Sequence, residues 1–449
     1  MILVSHRGPF RFTREPDGTF SRGRGAGGVV TALGPLLARD APVTWIAAAI
    51  TDDDIAAASS GATSDLGLEL HMLDLDEQLH RMHYDVVSNS VLWYVHHDLF
   101  DRVHRPQFDD RFREAWDAYV AVNATFADAA SDAATEGDIV LVQDYQLALV
   151  PELLRARRPD LRVAHFTHTP FAGADALRVL PTDVAERLCE SLAGGPAGFH
   201  TGRWRDAYRQ SAANAPTFVA SLGPDAAALQ EAAAEPGTRV AADALADVVG
   251  ERLVVLRTDR IEPSKNIIRG FAAFDRLLEA RPGLRGRVVF VAMVYASRQH
   301  LADYLAYANE IQHVVARIND RWATRDWTPI VLDERDDFTR TVAGLQRYDV
   351  LFVNPIKDGL NLVAKEGPVL NRRDGIVCLS REAGAFEELR DSVLALHPFD
   401  IEQMAVALDD ALAMPLDERG ARAEAVRNAA LSRTPAMWLD DQLQAAVGR

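Results

Sequence analysis

Short runs of Val, Ile and Leu recur along this chain, separated by helical patterns rich in Ala, Leu and Arg. Parallel strands need long, usually helical, crossovers and are buried on both faces, so they read as continuous apolar runs. In the first half such runs are ILVSH (2–6), VTWIAAAI (43–50), DIVLVQD (138–144), RVAHFTHT (162–169) and TFVASL (217–222). Helical patterns fall near 29–39, 110–135, 146–157 and 203–214. A second series restarts with RLVVLRT (252–258) and continues through VVFVAMV (288–294), TPIVLD (328–333), DVLFVNP (349–355) and GIVCLS (375–380). Two βα series predict an α/β protein of two Rossmann-like domains facing each other across a cleft. The 449 residues also exceed one ordinary core. The rhythm breaks at 222–250, which sets an amino-terminal domain at 1–222 and a second at 223–400. The helical remainder, 401–449, is expected to pack back on the first domain.

A net charge of -17 argues against a nucleic-acid partner, and requires local arginines and lysines to meet any anionic ligand. The two cysteines, Cys189 and Cys378, are far apart and form no metal or redox motif, which suits a reduced, cytoplasmic setting. The first apolar run is too short for a signal peptide, and the longest runs are strand-sized, so no membrane span is expected. No HExxH, CxxC, GxSxG or GxxxxGK[ST] pattern occurs, so a metal site or a common hydrolase or nucleoside triphosphatase is not expected.

Loops at the carboxyl ends of parallel strands are where open α/β sheets bind ligands. DGLNLVAKE (358–366) follows one such strand and opens a helix. Gly359 permits a tight turn, and the helix start offers amides to an anion. Glu366 is placed to accept ribose hydroxyls. RTDRIEPSK (257–265) puts Arg260 and Lys265 just after another strand, where a planar fork and a point charge suit a diphosphate. GRGAGG (23–28) precedes a helical pattern, and His165 and His168 flank the end of a strand in HFTHTPF (165–171). Each stretch alone also reads as an ordinary loop, cap or core histidine.

Together the stretches are more specific. DGLNLVAKE, RTDRIEPSK, LVQDYQLALVP (141–151), HFTHTPF, RVLP (178–181), GFHTGRW (198–204) and YDVVSNSVLW (84–93) occur in the order and spacing of one family. From about residue 2 to 400 the chain resembles the trehalose-6-phosphate synthases of glycosyltransferase family 20, retaining enzymes of GT-B fold.

That resemblance implies transfer of glucose from a nucleotide sugar to glucose-6-phosphate, forming α,α-trehalose-6-phosphate. It implies that Arg260 and Lys265 hold the donor diphosphate, with Gly27 or Gly28 closing from the other domain. Asp358 would bind donor-sugar hydroxyls, the backbone at Asn361 and Leu362 the phosphates, and Glu366 the ribose. His168 matches the histidine beside the glucose. Arg7, Tyr84, Trp93, Asp144 and Arg298 match the acceptor pocket, the aromatics for the sugar face, Asp144 for hydroxyls and the arginines for phosphate. Retention is explained in this family by front-face attack, which makes catalysis mainly positioning and electrostatic relief of the leaving diphosphate. No cofactor or metal is expected, and a homo-oligomer is compatible with the reading.

Three departures bear on substrates. Ala48 stands where the family's second Trp of a W-x-G-W stretch falls, on the acceptor side. Asn266 replaces the usual Gly after the lysine. In LDERDDF (332–338), Phe338 takes the place of a base-reading basic residue, beside Glu334, Asp336 and Asp337. These resemble a branch that uses guanosine donors, so GDP-glucose is favoured over UDP-glucose. The alternatives are a family-20 enzyme coupling cyclitols, and a non-catalytic sugar-phosphate sensor.

Overall fold

A computed structural model describes residues 1–24, 33, 43–61, 63 and 68–448. Gly27, Gly28 and the helix expected at 29–39 lie outside the described residues. The chain divides into two compact units, Met1–Leu222 with Pro435–Arg449, and Gly223–Thr434.

The first unit contains β1 (Ile2–Arg7), β2 (Phe10–Arg14), β3 (Phe20–Arg24), β4 (Thr44–Ala48), β5 (Glu69–Leu73), β6 (Ile139–Gln143), β7 (Arg162–Thr167), β8 (Ala197–Phe199) and β9 (Thr217–Val219). Among the described residues, seven of them form a sheet in the order β5-β4-β1-β6-β7-β8-β9, and β2 pairs with β3 as a hairpin. All pairings within the seven-stranded sheet are parallel; β1 lies between β4 and β6, with Ile2 opposite Thr44 and Val140. One face buries Ile2, Val4, Val140 and Val142 against Val122, Phe126 and Ala130 of the helix Asp110–Ala133. Removing such branched side chains from water supplies about 1.5–3 kcal/mol each. The strands β5, β8, β2 and β3 are additional to those expected, being short or carrying polar residues that hide the period.

The second unit holds β10 (Leu253–Arg260), β11 (Val288–Tyr295), β12 (Ile330–Asp333), β13 (Val350–Val353), β14 (Ile376–Ser380) and β15 (Leu394–Leu396). Their order is β12-β11-β10-β13-β14-β15, again with parallel pairings. Its core packs Val255, Phe290 and Phe352 against Phe271 and Phe274 of the helix Ile267–Ala280.

The carboxyl-terminal helices divide differently from expectation. Met404, Ala407, Leu408 and Ala411, on the helix Ile401–Ala413, join the second unit's core, so this helix does not return to the first domain. The helix Leu416–Leu431 also stays with the second unit, where Arg419 Nη2 donates to the Asp349 carbonyl at 3.0 Å. Only Pro435–Ala446 belongs to the first unit, packing on β6 and β7 through buried Trp438 and Leu439. The segment 222–250 falls almost wholly within the second unit, whose first residue is Gly223. It forms the helices Ala226–Ala234 and Pro236–Val249 of the second unit. Among the described residues, no helix is long and apolar enough to cross a membrane.

Candidate active site

In an open parallel sheet the loops diverge where the strand order reverses, and the crevice there is the natural ligand site. In the second unit that point lies between β10 and β13. Arg260 ends β10, the loop after it carries Lys265, and the loop after β13 carries Asp358. Lys265 Nζ meets Asp358 Oδ2 at 2.6 Å. Burial alone would lower the lysine's pKa, but Asp358, Asp259 and Glu262 outweigh it and hold the ammonium above its ordinary value. Arg260 Nη1 bonds Glu262 Oε1 at 3.1 Å and keeps 45% of its side chain in solvent. Arg260 and Lys265 are thus cations at one crevice, each steadied by a carboxylate.

The support under them was not legible in the motif. Arg257 is wholly buried; its Nε donates to Asp259 Oδ2 at 3.0 Å, and its Nη2 to the Lys265 carbonyl at 2.8 Å and to Asn354 Oδ1 at 2.9 Å. One guanidinium therefore ties the two loops together. Asn266 takes a φ of 58°, in the left-handed region where glycine is easiest and asparagine next. That explains why Asn stands where the family has Gly. Its amide donates to the Asn354 carbonyl at 3.0 Å, and Asn354 Nδ2 returns the bond to the Asn266 carbonyl at 3.1 Å.

The DGLN turn folds back on Asp358. The Leu360 amide donates to Asp358 Oδ1 at 3.3 Å, Asn361 Nδ2 to Oδ2 at 3.2 Å, and Asn361 has a φ of 73°. Asn361 Oδ1 then accepts the Ala364 amide at 3.3 Å, at the start of the helix Val363–Leu370. Leu362 is that helix's cap residue, and half-buried Glu366 lies in its first turn. Residues 382–385 grip the turn: the Asp358 amide donates to the Glu382 carbonyl, Gly384 to Asp358 and Ala385 to Leu360, at 2.8–3.1 Å. A Cβ on Gly384 would sit 2.0 Å from the Gly359 carbonyl oxygen, so only glycine fits. Lys365 is fully buried and donates to both Glu388 oxygens at 2.9 and 3.0 Å.

Arg298 joins this unit's cluster. It lies after β11 with a φ of 46°, its Nη1 2.6 Å from Tyr304 OH and 3.8 Å from the same Glu262 carboxylate that holds Arg260. The loop after β12 uses its charges internally. Arg335 and Arg340 both bond Asp333, Gln312 donates to Glu334, and Asp337 caps the helix Phe338–Arg347. Phe338 opens that helix 55% exposed, and Asp336 is exposed beside it.

In the first unit the order reverses between β1 and β6. Arg7 ends β1 opposite Ala48 of β4, and Asp144 follows β6. Arg7 Nη2 donates to Tyr84 OH at 3.2 Å. Tyr84 stands on an eleven-residue π-helical stretch, Met82–Leu92, an uncommon geometry that is often found at functional sites. Trp93 follows directly but is 3% exposed, its ring stacked on His97 at 4.2 Å. One face of the indole is therefore taken by His97. Asp144, at φ 70°, accepts the His168 amide on Oδ1 at 3.1 Å. His168 Nε2 pairs with Gln143 Oε1 at 3.0 Å, and Nδ1 with His200 Nε2 at 3.2 Å. Gln143 Nε2 donates to Gln442 at 3.0 Å, and Trp438 packs 5.6 Å from the His168 ring, so the last helix backs this histidine. Burial, then His200 and His165, hold its pKa well below normal, leaving it neutral. The two side-chain hydrogen bonds fix the ring in place.

Residues 1–447 match the model of glycosyltransferase family 20. A trehalose-6-phosphate synthase of Mycolicibacterium smegmatis is 32% identical, over 99% of this chain and 92% of that protein. The crystal structure of an α,α-trehalose-phosphate synthase (UDP-forming) from Burkholderia vietnamiensis is 27% identical, with a TM-score of 0.85 over 100% of this chain and 99% of that one. The corresponding enzyme from Burkholderia xenovorans, in complex with glucose-6-phosphate, is 25% identical with a TM-score of 0.85, covering 100% of both chains.

Proposed function

This chain belongs to glycosyltransferase family 20, and we propose that it transfers glucose, with retention, from a nucleotide-glucose donor to glucose-6-phosphate, giving α,α-trehalose-6-phosphate. The observation that carries the reading is the grouping of Arg260, Lys265 and Asp358 at the switch point of the second sheet, with Glu366 in the first turn of the helix that follows. The bond from glucose C1 to the diphosphate oxygen breaks, and a bond from C1 to the acceptor O1 forms. The acceptor proton passes to the departing phosphate oxygen. Charge then builds on the diphosphate, and Arg260 and Lys265 are the groups that meet it, so the reading calls for no metal. Arg7, Tyr84 and Asp144 recognise the acceptor, with Arg298 as a second phosphate arginine. His168 orients the donor sugar rather than moving protons.

For the base we favour guanine. Uracil asks for donors to two carbonyls, whereas guanine presents N1–H and an amine together to one acceptor. Arg335 and Arg340 are both committed to Asp333, which supports a site poor in donors. Glu334 and Asp337 are used inside the protein, so Asp336 is the carboxylate left to read guanine. A buried group without its partner is costly, and that cost is what discriminates. The buried cysteines suit the reducing cytoplasm, where the reading places the enzyme.

Nucleoside diphosphate release from GDP-glucose and UDP-glucose, with and without glucose-6-phosphate, tests the reading. Acceptor-dependent release with higher kcat/KM for GDP-glucose is expected. Preference for UDP-glucose refutes the base assignment alone, and activity only with a cyclitol phosphate acceptor favours the alternative.

A further inference from the structure

The amino end of the acceptor region holds a cluster that the proposed reaction does not use. His6 Nε2 and His80 Nε2 are 3.0 Å apart, with ring planes inclined by 5° and centroids 5.1 Å apart. Nitrogens that close, on nearly parallel rings with centroids that far apart, mean the imidazoles meet edge to edge in one plane. Tyr84 lies over this plane, 4.3 Å from the His6 centroid at 7° and 5.7 Å from the His80 centroid at 11°. The stack continues through His83, 5.6 Å from His6, to Tyr119 at 5.1 Å and Trp116 at a further 5.1 Å. His83 Nε2 is anchored to the Gln146 carbonyl at 2.8 Å. His6 is 5% exposed and His83 fully buried, so the plate has a rigid back. His80 is half-buried at its rim.

The plate has one chemical consequence. Tyr84 OH receives the Arg7 guanidinium, so whatever fixes the Tyr84 ring also fixes the direction of Arg7. Arg7 follows His6 in β1, and His80, on the short helix Glu77–Arg81, precedes Tyr84 of the adjoining π-helical stretch by four residues, so β1 and this continuous helical run each contribute one imidazole and one member of the Arg–Tyr pair. A phosphate clamp works only if its fork is aimed in advance, because aiming it on binding costs affinity. Burial, chiefly, disfavours a proton on either imidazole; at His80 it outweighs the opposing pull of Asp85, and Arg7 adds to it at both rings.

We propose that His80, held edge to edge by His6, is a positioning residue for acceptor recognition. It completes the flat support that orients Tyr84 and, through it, Arg7 toward the anionic group of the acceptor. This rests on the reading that Arg7 and Tyr84 bind glucose-6-phosphate.

The test uses the full chain and its His80→Ala and His80→Gln variants, with matched thermal midpoints as the check on folding. In His80→Ala the glucose-6-phosphate KM rises about tenfold, while the donor KM and kcat stay within about twofold, because only acceptor aiming is lost. His80→Gln, whose planar amide can still meet His6 Nε2, recovers most of the loss. An unchanged acceptor KM in His80→Ala, or an equal rise in both KM values, overturns the proposal. If the parent itself neither binds nor uses glucose-6-phosphate, the acceptor reading fails, and that result is distinct from a parent that uses it with no effect of His80.

Discussion

Lys265 Nζ lies 2.6 Å from Asp358 Oδ2, and this bond joins the loop after β10 to the loop after β13, residues 93 positions apart. It places an ammonium and a carboxylate side by side at the reversal of the second sheet. The cation suits a diphosphate and the anion suits sugar hydroxyls. The pair in this state holds both groups ready without leaving either buried charge unmatched.

Removing the cation should therefore cost the chemical step. Lys265→Ala or Arg260→Ala should lose roughly 2–4 kcal/mol of transition-state stabilisation, measured as kcat/KM, by analogy with deleting one electrostatic donor. Activity within about threefold of the parent, in a folded variant, would contradict the assignment.

Gly384 tests the loop rather than the charges. An added Cβ meets the Gly359 carbonyl oxygen at 2.0 Å and the Leu360 Cα at 3.0 Å, both backbone and unable to swing aside. Gly384→Ala should displace the DGLN turn and weaken donor binding by about tenfold or more. Calorimetry with the nucleoside diphosphate reads this directly, and parental affinity would show that the turn does not touch the donor.

Arg298 shares Glu262 with Arg260, so its role has to be separated from the donor clamp. Arg298→Ala should raise the KM for glucose-6-phosphate and leave donor binding nearly intact. The reverse pattern would place Arg298 on the donor.

Two buried histidines predict an acid limit on stability. Burial lowers the pKa of His83 and of His165 from 6.5 to about 4. The unfolded chain then binds protons below pH 6.5 that the folded chain refuses until about pH 4, so stability falls as pH drops through that window. At its full extent the penalty is about 3 kcal/mol for each group. The urea midpoint should be flat from pH 8 to 7 and decline from about 6.5 downward, with a shallower decline in His83→Gln. A midpoint that rises on acidification would refute the assignment of neutral, buried rings.

Much of the grouping proposed as the donor side was legible because its members lie in short stretches at or just after the ends of apolar strands, where spacing and position coincide. Arg260, Lys265, Asp358 and Glu366 could be read in this way. The supports could not, because each joins distant segments: His6 meets His80 across 74 positions, Gln143 meets Gln442 across 299, and Arg257 meets Asn354 across 97. The last three helices look alike in sequence. Their destinations depend on which core receives Met404 and Leu408, or Trp438 and Leu439. Burial could not be read either: Trp93 is 3% exposed, with His97, one turn on, stacked on one face of its ring.

The linkage in the reaction product is the decisive measurement. Incubation with GDP-glucose and glucose-6-phosphate, followed by NMR of the isolated product, should show a disaccharide monophosphate with both anomeric carbons α-linked, formed in step with GDP. A β linkage at the transferred glucose, or GDP release without a glycosidic product, would contradict the account.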